Sequence, residues 1–361
     1  MKKKNPSTIS SEYSDLKIAW YPEKLKSFVD GTILSPISVR VKFHNGCIHD
    51  CWYCCYNSEY SGMHTTMNRN DSIPREKMLE ILKDFKDMGV KSVIASGGGE
   101  PLIYPYIEEA LSKILEYGIH LAVITNGQKL QGKVAELLGN ADWIRVSLDY
   151  CTPEMFEQIR RRPKELFYEI EQNLRNFAKT KSPSCDFGVN CVVHEFNRNA
   201  LYDIAKFCKE LGVENIRFSP LWNPDLVNYH KDSLESVLEQ IERAKKDLAD
   251  DRFKIFDSFA SVFDSGGLSE RKYHKCYVMQ TTPAIGADQN VYFCHNKAYD
   301  ESGLLGSIKN QSFKELWFSQ ETRKKFKNFD PSKSCKHQCS SEGRNLVIQA
   351  ILDSFEKSNF P

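Results

Sequence analysis

An α/β fold built on a parallel sheet is what this chain of 361 residues predicts, on three observations. Short β-branched apolar runs alternate with amphipathic stretches from residue 37 to residue 220, and short continuous apolar runs suit strands buried on both faces. Several of the amphipathic stretches end in Gly, as helix C-termini do. Strand–helix units in unbroken succession need right-handed crossovers and therefore parallel strands, in a sheet that is either doubly wound or curled into a barrel or partial barrel.

The elements follow in order. ISVRVKF (37–43), KSVIAS (91–96), HLAVITN (120–126), DWIRVSL (142–148), FGVNCVVH (187–194) and NIRFSP (215–220) are the strands. Helical spacing occupies 74–90, 105–119, 130–140, 163–179 and 199–213 between them. Residues 221–275 break the rhythm with a charged helix at 233–249 and then DSGGLSER, whose Gly/Ser content marks a junction. We therefore expect an N-terminal extension at 1–36, a core barrel at 37–250, a linker at 251–275, a cysteine-bearing region at 276–345 and a closing helix at 346–361, its periodicity running from 344 to 356.

Composition bounds the partners. Forty-nine basic against 48 acidic residues leave a formal charge of +1, with no global pull toward nucleic acid or membrane. No run of about 18 apolar residues occurs, and the opening lysines are followed by polar residues rather than a signal-peptide core. A reducing, cytoplasmic setting is expected. There, twelve clustered cysteines read as metal ligands or reactive thiols, since adjacent Cys54 and Cys55 cannot readily bridge each other and a chain of this length needs no staples.

The segment CIHDCWYCC (47–55) directly follows the first strand, so it lies at that strand's C-terminal end, where parallel α/β folds build their sites. Zinc sites usually pair one Cys-x2-Cys with another, and no second pair follows in this loop. Three thiolates at Cys47, Cys51 and Cys54 instead suit three corners of a 4Fe-4S cluster with one iron left open.

That Cys-x3-Cys-x2-Cys spacing, with Tyr53 before its last cysteine, resembles the radical S-adenosylmethionine (radical SAM) superfamily. The resemblance extends to Gly97-Gly98-Gly99-Glu100-Pro101 after the second strand, Asn126-Gly127 after the third, Ser147-Leu148-Asp149 after the fourth, and Arg160. It implies a partial (β/α)6 TIM-like barrel that holds a 4Fe-4S cluster and S-adenosylmethionine (SAM). Gly98, Gly99 and Glu100 would receive the amino group of SAM, Tyr53 would pack on its adenine, and Arg160 would reach its carboxylate, with Asn126 and Ser147 completing the cofactor site. The residue types agree: glycines admit close backbone approach, and a carboxylate accepts a charge-assisted hydrogen bond from an ammonium. Cys55 offers a second register, Cys-x3-Cys-x3-Cys; Cys54 is preferred because Tyr53 then fills the aromatic slot, leaving Cys55 a packing thiol.

Farther on, Cys276 and Cys294 bracket TTPAIGADQNVYF, a hairpin turning at Asp288-Gln289-Asn290, and Cys335 and Cys339 follow in CKHQC. This succession resembles the SPASM and twitch auxiliary-cluster regions, with Asn290 standing where a Gly is usual, and implies a second, auxiliary 4Fe-4S cluster. Four-cysteine zinc is the alternative from spacing alone. Cys151, just past the fourth strand, is the candidate hydrogen donor to a substrate radical, against a packing role. The other arginines beside Arg160 read as solvated neighbours.

The resemblance implies an enzyme that draws an electron from a flavodoxin- or ferredoxin-type donor and abstracts hydrogen from a small-molecule substrate, a sugar, aminocyclitol or nucleotide sugar. The outcome would be a two-electron oxidation assisted by the auxiliary cluster. Epimerisation through Cys151, modification of a peptide, and a non-catalytic zinc or iron–sulfur protein are the alternatives.

Overall fold

The computed structural model describes residues 14–56, 61–223, 225–264, 271, 273–336 and 339–355. Seven strands lie side by side in chain order, all parallel: β1 (Ser38–Val41), β2 (Ser92–Ala95), β3 (His120–Thr125), β4 (Trp143–Ser147), β5 (Asp186–Val193), β6 (Asn215–Pro220) and β7 (Lys254–Asp257). That order decides what the pattern left open. A doubly wound sheet reverses direction at a switch point, whereas this one winds one way only, as a barrel does. With β7 at one end of the strand order it stays unclosed.

Period-two alternation divides the strand residues. Val39, Val41, Val93, Ala95, Val123, Ile144, Val146, Phe187, Val189, Ile216 and Phe218 are buried in the core formed with the surrounding helices. Their strand neighbours Arg40, Ser96, Arg145, Ser147, Asn190, Arg217 and Ser219 line the inner face. The helices lie where their spacing placed them: Arg75–Met88, Ile107–Glu116, Gly132–Leu138, Leu166–Thr180 and Leu201–Glu210, with Pro153–Arg160 between β4 and the fourth of these. Gly89 ends the first in a left-handed conformation at φ 72°.

β7 corrects the expected linker at 251–275. Lys254–Asp257 has no fully buried residue and pairs only with β6, so this short edge strand carries no apolar run to signal it. The DSGGLSER junction lies outside the described residues from 265 to 270, as do the N-terminal lysines.

The C-terminal hairpin joins the same sheet. β8 (Ala284–Ile285) pairs parallel with β1 and antiparallel with β9 (Asn290–Tyr292), and β10 (Leu304–Ser307) pairs with β9. The turn's left-handed residue is Gln289 (φ 62°), not Asn290. Asn290 already belongs to β9, where it pairs with Ser307. Within the expected extension at 1–36, Asp15–Trp20 and the helix Pro22–Asp30 pack on the last helix, Glu342–Phe355. Ile18, Val278 and Ile348 form a small core there. That last helix begins within the stretch assigned to the cysteine region. No described helix is long and apolar enough to cross a membrane.

Candidate functional site

The loop after β1 is latched to the end of the helix Pro153–Arg160. The Asp50 amide donates to the Arg160 carbonyl (3.0 Å) and the Trp52 amide to that of Ile159 (3.4 Å), satisfying carbonyls that a helix end leaves unpaired. Arg162 Nε donates to the Ile48 carbonyl at 2.6 Å. Arg161 terminates the helix in a left-handed conformation, φ 51°. Arg162 is thus part of the latch, whereas Arg161 is exposed, as a solvated neighbour of Arg160 would be.

Gly98 and Gly99 approach the chain itself. A Cβ on Gly99 would stand 1.8 Å from the Gly46 carbonyl oxygen, and one on Gly98 would stand 1.9 Å from Asn45 Oδ1. The close packing is sealed by the Gly99 amide on the His44 carbonyl (3.2 Å) and the Glu100 amide on that of Gly46 (2.8 Å). The glycine run therefore shapes the cysteine loop before any ligand arrives.

Glu100, 3% exposed, ties β2 to β3. Its carboxylate accepts from Thr125 Oγ1 (2.6 Å), the Asn126 amide (2.7 Å) and the Leu102 amide (3.0 Å). Burial pushes it up to about 7, against these hydrogen bonds. Beside it, Asn126 Nδ2 and Ser96 Oγ are sealed from solvent without a hydrogen-bond partner among the described residues. Buried polar groups without partners are costly, so this cradle suits a polar ligand.

Asp149, which pattern reading placed only at the end of a strand, is the centre of the charged network. It pairs with Arg160 at 2.7 Å, the two side chains being 1% and 3% exposed. It also accepts from the Tyr53 hydroxyl and faces His194 Nε2 at 3.6 Å. Burial alone would raise its carboxyl; Arg160 foremost, then His194 and Tyr53, outweighs that and holds it below its ordinary range. Arg160 spends Nη2 on Asp149 and the Ser147 carbonyl (2.7 Å), and Nη1 on Cys51 Sγ at 3.0 Å. Its buried Nε has no hydrogen-bond partner among the described residues. The Tyr53 ring lies on His194, centroids 5.0 Å apart. The carboxylate facing His194 is supplied from the segment just past β4.

Cys47, Cys51 and Cys54 gather on this loop. The Cys54 amide bonds the Cys51 carbonyl at 3.1 Å. Burial, then the neighbouring thiols among other groups, pushes Cys47 and Cys54 up to about 12. Burial likewise raises Cys55, which the Lys42 ammonium opposes. Among the described residues no three such groups close on one metal-ion position; the thiols stand apart yet within electrostatic reach. An inorganic cluster inserts its own irons and sulfides between cysteine sulfurs, so this donor set fits one.

Cys151 does not join them. Its Sγ lies 3.8 Å from Met155 Sδ, burial followed by Asp203 of the helix Leu201–Glu210 pushes it up to about 11, and it packs on the outer core. Cys151→Ala is expected to cost about 1 kcal/mol or less, as small-volume core changes do, and to leave turnover intact, which denaturant melts and steady-state assays would check.

The second set, Cys276, Cys294, Cys335 and Cys339, shares one electrostatic neighbourhood. Burial, then Cys339 among the thiols, lifts Cys294 to about 12, and burial lifts Cys335 to about 11 against Lys297. Three of the four line a pocket with Tyr273, His295 and Asn345. Tyr299 ties this region to the first loop: its hydroxyl donates to Asn45 Oδ1 (2.5 Å) and accepts from the Ala287 amide (3.0 Å).

Comparison with known proteins agrees with this layout. The model of the Radical SAM superfamily matches residues 41–208, and that of the SPASM iron-sulfur cluster-binding domain matches 276–340. A probable GTP 3',8-cyclase of Methanocaldococcus jannaschii is 29% identical over 219 residues, 59% of this chain and 67% of that protein. The GTP 3',8-cyclase of Helicobacter pylori is 26% identical over 226 residues, 61% of this chain and 64% of that one. Among solved structures, Streptococcus suis SuiB bound to S-adenosylmethionine superposes with a TM-score of 0.61 at 16% identity, covering 82% of this chain and 68% of its own.

Proposed function

Because the chain is a radical SAM enzyme with a C-terminal SPASM domain, we propose that it oxidises a small molecule by two electrons at a C–H bond. When bound, the first cluster and SAM supply a 5'-deoxyadenosyl radical as hydrogen acceptor, and the auxiliary cluster supplies the acceptor for the second electron. A flavodoxin- or ferredoxin-type protein is the proposed electron donor. The observation that carries the reading is the attachment of the four-cysteine region to β1 through β8, the strand whose loop bears the first three thiols. The nucleotide substrate in the names of the cyclase relatives supports a small molecule.

In this reading Cys47, Cys51 and Cys54 hold the first cluster, and Cys276, Cys294, Cys335 and Cys339 hold the second. Glu100, Asn126 and the backbone of Gly98 and Gly99 receive the amino acid end of SAM, with Ser147 at the next strand end and Tyr53 beside the adenine. Arg160 acts by positioning: it fixes Cys51 and, through Asp149, Tyr53. The helices and the Tyr299 tie exclude water, which would otherwise quench a radical.

Anaerobically reconstituted protein should carry about eight irons rather than about four if both cysteine sets hold 4Fe-4S clusters, and should form 5'-deoxyadenosine from SAM and dithionite. With substrate in deuterated water, a product changed only by one solvent deuterium would overturn oxidation in favour of epimerisation. Cys54→Ala is expected to lose the first cluster's absorbance and Cys55→Ala to keep it; the reverse result moves the register to Cys55.

Glu100 predicts a pH dependence. An acid raised to about 7 in the folded chain contributes stability below its unfolded value that is lost as pH rises through 7. An ammonium needs the ionised form, so SAM should bind more tightly as pH climbs from 6 to 8. Calorimetry across that range should find the slope in the native enzyme and little of it in Glu100→Gln.

A further inference from the structure

Two non-glycine residues in the left-handed region, far apart in sequence, meet where the auxiliary region packs on the loop after β1. His64 has φ 56° and Tyr299 φ 57°, and a bulky residue holds that conformation only where its surroundings over-determine it. Here they do. His64 Nδ1 donates to the Ala298 carbonyl at 2.6 Å, and the Thr66 amide donates to the Tyr299 carbonyl at 3.1 Å. Cys294 lies one short turn upstream, since the 3-10 turn His295–Lys297 leads from it into Ala298 and Tyr299.

The backbone so fixed aims one phenol at the glycine run. Tyr299 is fully buried among Ala284, Tyr292 and Ala298. Its hydroxyl accepts from the Ala287 amide (3.0 Å) and donates to Asn45 Oδ1 (2.5 Å). Burial, foremost, raises the phenol above its ordinary range, so it stays a donor throughout neutral pH. Asn45, 1% exposed, spends Nδ2 on the Asn68 carbonyl at 2.9 Å, and both ends of its amide are thereby held. Gly98 lies directly against this pair: a Cβ there would stand 1.9 Å from Asn45 Oδ1 and 3.3 Å from the Tyr299 hydroxyl oxygen.

We propose that Tyr299, a residue of the auxiliary region, is a positioning residue for SAM: through Asn45 it sets the place of the Gly98 backbone. The inference rests on the reading of Gly98 as part of the SAM cradle, and it adds that this cradle is completed from the C-terminal region. Without the hydroxyl, Asn45 Oδ1 loses the donor it accepts from in a buried place, a costly state that the amide escapes by rotating. Rotation removes the surface on which Gly98 is seated. A phenylalanine ring at 299 keeps the apolar packing, so the fold survives while the backbone groups that meet SAM are less well held. Groups that must be ordered on binding take their ligand more weakly than groups already in place.

SAM is titrated calorimetrically into the anaerobically reconstituted enzyme, beside steady-state 5'-deoxyadenosine formation with dithionite. Tyr299→Phe is expected to bind SAM about fivefold more weakly, the worth of one ordinary hydrogen bond. The KM for SAM should rise by a similar factor, with kcat at saturating SAM and iron content retained. Tyr292→Phe is the control. It deletes a phenol whose ring lies 5.6 Å from that of Tyr299 but whose hydroxyl donates to Asp288 Oδ2 at 2.6 Å, and it should keep native SAM affinity. Asn45→Ala gives the same reading as Tyr299→Phe should the latter fail to fold. Native SAM affinity in folded Tyr299→Phe overturns the positioning role, as do equal losses in the two phenylalanine variants. Glu100→Gln separates this inference from the reading beneath it. A loss of SAM affinity there with none in Tyr299→Phe sinks only the role of Tyr299, whereas native affinity in Glu100→Gln sinks the cradle reading itself.

Discussion

Replacing Gly99 by alanine should leave a protein that no longer assembles its first cluster. The added Cβ would sit 1.8 Å from the Gly46 carbonyl oxygen and 2.5 Å from that of Asn45, and backbone on both sides has nowhere to retreat. Gly46 immediately precedes Cys47, while Gly99 is held by its amide on the His44 carbonyl. Relief requires the two loops to part, which breaks the bond from the Glu100 amide as well. Overpacking of a tight site costs about 1–3 kcal/mol, occasionally more, and a backbone-to-backbone clash belongs at the upper end. Iron content after reconstitution and the thermal midpoint measure it. A Gly99→Ala protein with native iron and an unchanged midpoint would show that these loops are not packed as described.

Removing the carboxylate of Asp149 should be still more damaging. Asp149→Ala leaves the Arg160 guanidinium buried without its counter-ion, and breaking one side of a buried pair costs about 3–5 kcal/mol. It also frees the Tyr53 hydroxyl and removes the carboxylate facing His194. Arg160→Met alone is expected to be costly for the opposite reason, an uncompensated carboxylate. The double change, Asp149→Leu with Arg160→Met, should recover part of the loss in a double-mutant cycle while still failing to order Cys51, whose sulfur Arg160 contacts at 3.0 Å. Urea unfolding and cluster absorbance separate the two effects. If the single changes prove additive, the pair is not the centre of the network.

Much of the site was legible because its chemistry is local. Cys47, Cys51 and Cys54 sit on one short loop, and strand-end motifs fall at strand ends whatever the winding. Cys276, Cys294, Cys335 and Cys339 were legible by spacing around a hairpin. Partners distant in sequence were not legible. The thiol of Cys151, read as a candidate hydrogen donor, lies beside Met155 of the following helix and within electrostatic reach of Asp203. Glu100 and Arg160 were read as ligands; what the sequence did not show is that Glu100 also accepts from Thr125 and Asn126, and that Arg160 also contacts Asp149 and Cys51. β7 escaped because an edge strand of four partly exposed residues has no apolar signature.

By itself the sequence determined the alternation of strands and helices, the two cysteine sets and the order of the motifs, since each depends on residues within one turn, loop or strand. Only the tertiary structure decided that the sheet winds in one direction and that the auxiliary hairpin extends it from β1. The same holds for the pairing of Asp149 with Arg160 beneath the cysteine loop. These are relations between segments separated by loops and crossovers. Burial raises the energetic stakes of each charge and backbone contact there, and no single segment carries the information about what will lie opposite it.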